Sequence, residues 1–505
     1  MMFDRRSFLR GCAASAALVS GGCGSLIAGK RARVVGAGQK VRIGAVGVGG
    51  KGLYDWTCLM KAGAEMAAFC DVDSAMLDEA YVELCGLGGK ASSVRRYADW
   101  RKMLEKESDR LDAVIVSTPD HMHAAIAVEA MRLGLHCYVQ KPLVRTIWEA
   151  GVFADAARSS GVVTQMGNQG SSGSGHRRNV ELLQQGVIGD ITEVHVWTDR
   201  PIWPQGLQAK AFTRMPGEKP PPGLDWDCWL GCAEMRPYIG DRPASYRYDF
   251  SNRYAETIKG VYHRFNWRGF YDFGTGAFGD MACHTMNLPF RGAELGAVTK
   301  AECRMADEPN DVAYPVRSIV ELTYAPRVSR VRKGRLLPET KVVWYDGEQR
   351  PSAELMPQVV ALFKEVPRTG CLVIGTKGIM CSVNDYGQEA LVALNGETRV
   401  RSTRKHPACT VLPEYLPRRA EKAELGQYGE FLDAIKGDAP VIEETHSRCY
   451  ADIEHSVPML EGMLVGCIAQ RLPGVHHWDG AARMFKGDRD ANALLKPYIR
   501  PGWEF

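Results

Sequence analysis

The sequence lacks any apolar run of about 18 residues, so no membrane-spanning helix is expected. It also lacks a C-x-x-C pair. Of its 15 cysteines, Cys12 and Cys23 fall in the first 23 residues, and the others are odd in number and scattered, which fits neither a disulfide framework nor a zinc site. Cys228 and Cys232, around Trp229-Leu230-Gly231, read as packing residues. A strong charge of one sign is missing too. The formal net charge is only +4 over 505 residues, and a nucleic-acid partner is excluded for want of a basic face or motif. Cleavage before Cys23 would remove Arg5, Arg6, Arg10 and Asp4, a net +2, and leave +2. No internal repeat is found. With 45% hydrophobic and 24% charged residues, composition excludes disorder, a collagen-like fibre and a coiled coil. The length has room for two or three globular domains with a large core.

What is present begins with a leader pattern. Asp4-Arg5-Arg6-Ser7-Phe8-Leu9-Arg10 precedes the small, apolar run from Gly11 to Ser20, the layout of an export signal. The paired arginines followed by Phe-Leu resemble a twin-arginine signal, which exports folded proteins. Cys23 follows Ser20-Gly21-Gly22 and is a candidate lipid anchor, although a bulky aliphatic residue three positions before it is missing. The expected location is the periplasm, free or lipid-anchored.

Beyond a Gly/Ala-rich linker ending near Gln39, short apolar runs alternate with helical patterns. Val41 to Val46, Ala64 to Phe69, Leu111 to Val116 and Cys137 to Val139 read as buried strands, and Ala124 to Leu133 as a helix between two of them. Such alternation implies a parallel sheet with right-handed crossovers. From Ile191 the pattern changes. Glu193 to Thr198 alternates, loops rich in Pro, Trp and Arg follow, and Arg317 to Tyr324, Thr340 to Tyr345 and Cys371 to Ile374 read as strands of a large, mostly antiparallel, half-exposed sheet. Leu425 to Ile435 and Ile453 to Leu472 return to helix. The expected fold class is α/β: export signal and linker over 1–39, a Rossmann dinucleotide-binding domain over 40–168, and an α/β domain over 169–505 carrying the open sheet. Its C-terminal helices are placed to pack back on the first domain, and the open sheet is a candidate homo-oligomer surface.

Gly47-Val48-Gly49-Gly50-Lys51-Gly52 directly follows the first strand and should open a helix. In a G-x-G-x-x-G at this position, Gly47 permits the tight turn, Gly49 lets the backbone approach a pyrophosphate, and Gly52 lets helix pack on strand. Amides at the helix start would hold the phosphates. Asp71 falls at the end of the second strand, where a carboxylate accepts hydrogen bonds from ribose hydroxyls and repels a 2′-phosphate; Asp73 adds to that field. The expected cofactor is NAD rather than NADP.

Ser117-Thr118-Pro119-Asp120-His121-Met122-His123 after one buried strand, Gln140-Lys141-Pro142-Leu143 after the next, and Gly279-Asp280-Met281-Ala282-Cys283-His284 later in the chain resemble the Gfo/Idh/MocA oxidoreductase family. The resemblance extends over most of the chain beyond residue 40. It implies a sugar-sized cleft floored by the open sheet, a strained or cis Lys141-Pro142 peptide, and a cofactor site that includes Thr118, Pro119, His121 and Lys141. The family's commoner Glu-Lys-Pro is Gln140-Lys141-Pro142 here, which takes a carboxylate away from the lysine's side.

The chemistry follows from the residue types. Moving a hydride from an alcohol carbon to a nicotinamide needs a base for the hydroxyl proton, and Lys141, at the carboxyl end of a strand, is the candidate. Asp280 and His284, four apart on one helical face, are candidates for a second acid–base pair in which the aspartate orients or charges the histidine. They make a poor metal site, because no third or fourth ligand can be named. Asn168, Gln169, His176 and Arg177 fall in a Gly/Ser-rich loop after the sixth strand, and Trp267, Arg268 and Tyr271 approach the Asp280 motif. Aromatic faces and polar donors suit a sugar ring. Core packing is an equal reading for each of them taken singly.

Three functions remain open on the sequence. One is an NAD-dependent oxidoreductase acting on a carbohydrate hydroxyl with a tightly bound nicotinamide. A second is a redox-neutral glycosidase that oxidises C3 transiently, eliminates the aglycone, adds water and returns the hydride; it needs no ordinary carboxylate pair. The third is an exported sugar-binding protein without turnover, against which Lys141 and His284 argue.

Overall fold

Short runs of small and β-branched residues, each buried and each followed by a helix, build the first layer. The computed structural model describes residues 30–505 apart from 37, 241–259 and 420–422, so the leader, its twin arginines and Cys23 lie outside the described residues. Six strands, β1 (Arg42–Val46), β2 (Glu65–Cys70), β3 (Arg95–Tyr97), β4 (Ala113–Val116), β5 (His136–Gln140) and β6 (Thr164–Gly167), form one sheet in the order β3-β2-β1-β4-β5-β6. All its pairings are parallel. A parallel sheet is covered on both faces, which is why β4 and β5 are buried at every position. The order reverses between β1 and β4, the switch point at which open α/β sheets bind ligands. Helices α1 (Lys51–Lys61), α2 (Ser74–Gly86) and α3 (His123–Arg132) follow β1, β2 and β4.

The second sheet comprises β7 (Ile191–Trp197), β8 (Val298–Ala306), β9 (Ser318–Tyr324), β12 (Thr340–Asp346), β13 (Gly370–Gly375), β14 (Gly378–Ser382), β15 (Ala390–Leu394), β16 (Arg401–Ser402), β17 (Val475–Asp479) and β18 (Met484–Phe485). Its order is β16-β15-β14-β13-β7-β12-β9-β8-β17-β18, and β10 (Arg327–Val328) and β11 (Leu336–Leu337) form a separate ribbon. Only β7 with β12 is parallel among these pairings. The fold is therefore the expected α/β combination, a parallel Rossmann sheet and a large, mostly antiparallel one. The outer face of the second sheet is less open than the strand patterns imply. Met356 and Val359, at and within the short helix Pro357–Phe363, pack on Trp197, Val343, Tyr345 and Leu372, so the chain covers part of that face itself.

Four further helices matter to the site: α4 (Ser174–Gln184), α5 (Gly276–Thr285), α6 (Ala423–Lys436) and α7 (Ile453–Ala469). Every residue of α5 is buried, so its polar side chains must find partners inside the protein. Helix α6 returns to the first domain. Its Tyr428 stacks on Tyr138 of β5, and Phe431, Leu432 and Ile435 join the core formed by β1, β2 and α1.

Candidate functional site

The glycine turn after β1 takes the geometry its residue types require. Gly47 has φ +77°, and a Cβ there would lie 2.7 Å from the Ser117 carbonyl oxygen. A Cβ on Gly52 would fall 1.8 Å from the Gly47 carbonyl oxygen, so only glycine lets α1 start this close to β1. The α1 N-terminus has no side-chain cap, so its first main-chain donors lack a side-chain acceptor there. Beside them, the Asp71 carboxylate accepts hydrogen bonds from the amides of Val48 (2.9 Å) and Asp73 (3.0 Å), tying the turn to the end of β2. Burial pushes the Asp71 carboxyl up to about 6 against those hydrogen bonds. Asp73 is otherwise occupied. It caps α2 through the Ala75 amide and lies 3.3 Å from the Arg264 guanidinium, so much of the field expected from it is offset.

A cavity of about 1080 Å³ runs from this turn, past Thr118 and Pro119, to Lys141, Gln169 and His284. That exceeds the roughly 300–1000 Å³ of drug-sized sites, so a dinucleotide and a second ligand can share it. The turn, the uncapped amides and the Asp71 carboxylate at one end fit NAD. Pro221, Pro222 and Leu224 roof that end, where the Gly223 carbonyl accepts the Ser74 amide at 2.9 Å.

At the other end, the Lys141 ammonium donates to two oxygens of Asp280, the carboxylate Oδ1 and the main-chain carbonyl, both at 2.9 Å. Arg268 Nε approaches the same Oδ1 at 3.4 Å, with its guanidinium 4.3 Å from the Trp267 ring and 4.2 Å from the Phe265 ring. Burial opposes ionisation of Asp280, but the two cations outweigh it and hold its carboxyl below the usual range. The Lys141-Pro142 peptide is cis.

His284 does not take its orientation from Asp280. Its Nδ1 lies 3.0 Å from Asn168 Oδ1, and Asn168 in turn donates from Nδ2 to the Cys283 carbonyl at 2.7 Å. Helical spacing does put Asp280 and His284 on one face, but the carboxylate is drawn to the stronger partner, a charged amine across the cavity. Burial, reinforced by the positive charge of Lys141, drives the His284 ring well below its ordinary pKa and keeps it neutral. The edge of its ring meets Tyr386 at 5.2 Å between centroids.

Of the other candidates, Gly49, Gln169, Trp267 and Arg268 line the cavity with the residues above. His121, His176, Arg177 and Tyr271 do not line it. His121 is packed among Trp229 and Phe273 with Nε2 3.1 Å from the Trp229 carbonyl, and burial takes its ring down to about 3. His176 meets the Tyr386 carbonyl at 3.1 Å and is likewise held neutral by burial. Arg177 is buried in an ion pair with Glu430, and Tyr271 packs on Tyr314 beneath the Arg471 guanidinium. These four fix the surrounding frame. His123 lies between the carbonyls of Thr118 (2.9 Å) and Pro142 (2.8 Å) and donates to one of them, holding the two motif loops side by side. Cys228 and Cys232 are buried, and no metal-binding cluster occurs among the described residues.

Two groups stand out that sequence patterns did not single out. Asp55, fully buried on α1, accepts from Ser117 Oγ (2.8 Å), Gln140 Nε2 (2.8 Å) and Tyr428 OH (2.7 Å) and pairs with Lys51 at 3.0 Å. A carboxylate thus sits against the Gln140 side chain from α1, paired with Lys51 rather than Lys141, and Gln140 is its neutral donor. The second is Asp120, which lines the cavity near Lys141 and accepts from Thr275 Oγ1 at 3.2 Å. Burial, then the negative charge of Asp280, pushes its carboxyl up to about 8 against the pull of Arg268 and Lys141. Its place in Thr118-Pro119-Asp120, at the end of β4 by the switch point, was the available signal.

Comparison with known proteins agrees with the fold. Residues 41–168 match the Gfo/Idh/MocA oxidoreductase family with its NAD-binding Rossmann fold. The first domain is of the NAD-binding Rossmann type. A glycosyl hydrolase family 109 protein of Shewanella sp. strain W3-18-1 is 30% identical over 155 residues, 30% of this chain and 33% of that protein. The chain thus spans about a third of the length of such curated relatives. Around the NAD-binding domain the likeness to solved structures is one of fold. An inositol dehydrogenase homologue from Azotobacter vinelandii, solved with NADH and myo-inositol, superposes with a TM-score of 0.54 at 17% identity, covering 89% of this chain and 99% of that one. The WlbA dehydrogenase of Bordetella pertussis, solved with NADH and UDP-GlcNAcA, gives 0.51 at 16% identity over 86% and 97%.

Proposed function

We propose that this protein is an NAD-dependent oxidoreductase acting on a carbohydrate hydroxyl. The observation that carries the reading is the cavity joining the glycine turn and Asp71 to Lys141 and His284, with Asp280 paired to Lys141 at 2.9 Å. Bound NAD would supply the acceptor for a hydride from the sugar carbon. The chain's own residues would do the rest. Amides of the glycine turn would hold the pyrophosphate and Asp71 the ribose hydroxyls. Lys141 in its neutral form would take the hydroxyl proton, while Asp280 fixes the position of its nitrogen. His284, neutral and aimed by Asn168, can hydrogen-bond the same or the adjacent hydroxyl without adding charge. Trp267 and the aromatic-clamped Arg268 would present a face and a donor to the ring. The Pro221-Pro222 roof suits a nucleotide that stays bound between turnovers.

A second reading, redox-neutral glycoside hydrolysis, is favoured by one observation, the 30% identity over 155 to 157 residues to proteins named glycosyl hydrolase family 109. The two differ in product. Denaturing the purified protein and identifying the released nucleotide, then screening glycans and glycosides for keto products and freed aglycone, tests both. NADP as the sole nucleotide would contradict the cofactor assignment. Released aglycone without accumulating ketone would choose the hydrolase. We also propose export, on Arg5-Arg6 and the short apolar run after them; changing both arginines to lysine should retain the chain in the cytoplasm.

A further inference from the structure

The reacting end of the cavity has an unbalanced charge. Lys141 and Arg268 are cationic and share one carboxylate, Asp280. The remaining carboxyl there, Asp120, is buried on the short 3-10 turn Asp120–Met122 and takes no ion pair among the described residues. From the residue that precedes α5 it meets Thr275, from α5 the charge of Asp280, from the 266–269 turn that of Arg268, and from the end of β5 that of Lys141. On its own turn and the start of α3, His121 and His123 are buried and neutral, held at about 3 and about 4. Its environment thus separates it from Asp280, one carboxyl protonated and the other ionised, the division found where two acids have different tasks.

We propose that Asp120 is a further acid–base group of this site, giving up a proton when oxidised nicotinamide binds and taking one back, by way of Lys141, when the sugar hydroxyl is oxidised. The proposal rests on the dehydrogenase reading above. An oxidised nicotinamide brings a positive charge into a buried region that already carries two cations against one anion, and at low effective dielectric that favours the Asp120 carboxylate. The proton balance then closes on the protein. The Lys141 ammonium passes a proton to the Asp120 carboxylate, by way of water or the substrate hydroxyl, and becomes a neutral amine. As the sugar C–H bond breaks and its electron pair leaves with the hydrogen for the cofactor, the amine takes the hydroxyl proton. The alcohol is oxidised by two electrons, the nicotinamide is reduced by two, and the displaced proton rests on Asp120. Return of the hydride reverses each transfer, so a redox-neutral cycle would need no proton from solvent.

The relation is reciprocal. If oxidised nicotinamide expels a proton from Asp120, ionised Asp120 must favour NAD⁺ over NADH. The test is the ratio of the NADH to the NAD⁺ dissociation constant between about pH 6 and pH 8, a ratio in which any titration of Asp71 common to both nucleotides cancels. In the intact protein it should rise with pH by up to roughly tenfold per unit. In Asp120→Asn, which keeps the shape and the Thr275 contact, it should be flat, and Asp120→Glu should restore the slope. Should either variant fold poorly, calorimetry on the unaltered protein in buffers of different ionisation enthalpy should still count up to one proton released per NAD⁺ bound and fewer per NADH. A pH-independent ratio in the intact protein, equal proton counts for the two nucleotides, or an unchanged slope in Asp120→Asn would overturn the assignment. Failure of both nucleotides to bind would overturn the dehydrogenase reading and this inference with it.

Discussion

Lys141, just after β5, and Asp280 of α5 are joined by two contacts of 2.9 Å, one to the carboxylate and one to the main-chain carbonyl. The pair fixes the nitrogen of the proposed base against α5. Lys141→Ala should therefore act in two ways. It leaves the buried Asp280 with Arg268 alone, at a cost of about 1–3 kcal/mol in stability, and it removes the base, slowing hydride transfer roughly 100- to 10,000-fold. Lys141→Arg separates these effects. A guanidinium can keep the ion pair but cannot accept a proton, so thermal unfolding should stay near that of the parent while turnover is lost.

Asn168 and His284 should behave as one unit. Asn168→Ala frees the imidazole to turn, so its effect on kcat should approach that of His284→Ala while bound NAD is retained. In a double-mutant cycle the two losses should not add. Additive losses would place Asn168 and His284 in separate roles.

NAD affinity should depend on Asp71 and on pH. With Asp71 accepting from the ribose hydroxyls as proposed, binding should be complete where Asp71 is ionised and weaken as pH falls through about 6. Asp71→Ala should cost about 1–3 kcal/mol of binding at neutral pH. It should also abolish that acid limb in a titration of affinity against pH.

Gln140→Glu would place a second carboxyl against Asp55, whose oxygen now lies 2.8 Å from the Gln140 amide. Two buried carboxylates at that distance cannot both be ionised without penalty. The variant should be less stable than the parent at neutral pH by about 1–3 kcal/mol, and should melt lower. The deficit should shrink as pH falls and the pair takes up a proton. Equal melting curves at neutral pH would mean that Asp55 does not need its neutral donor.

The contrast between local and long-range residues explains what the sequence made legible. The glycine turn, Asp71 and Lys141 are specified by their place at strand ends, and strand alternation locates those ends to within a residue or two. The Lys141–Asp280 pair spans 139 residues, so no spacing rule reaches it. Spacing suggested Asp280 with His284, and a cation across the cavity won that carboxylate instead. That the C-terminal helices return to the Rossmann sheet is expected, but periodicity cannot name the contact, the stacking of Tyr428 of α6 on Tyr138 of β5. His176 and Arg177 sit on α4 in a loop-and-helix region that does approach the site, but helical rotation turns both inward to Tyr386 and Glu430. Strand β3, three residues long, and the short β16 and β18 carry too little pattern to be read at all.

The most direct test is rapid mixing of the NAD-loaded protein with a panel of sugars and glycosides while the absorbance of reduced nicotinamide is followed in a single turnover. At least one carbohydrate should reduce the bound cofactor in the parent and not, on the same timescale, in Lys141→Arg. Bound NAD that no carbohydrate reduces, or an equal rate in the arginine variant, would contradict the account.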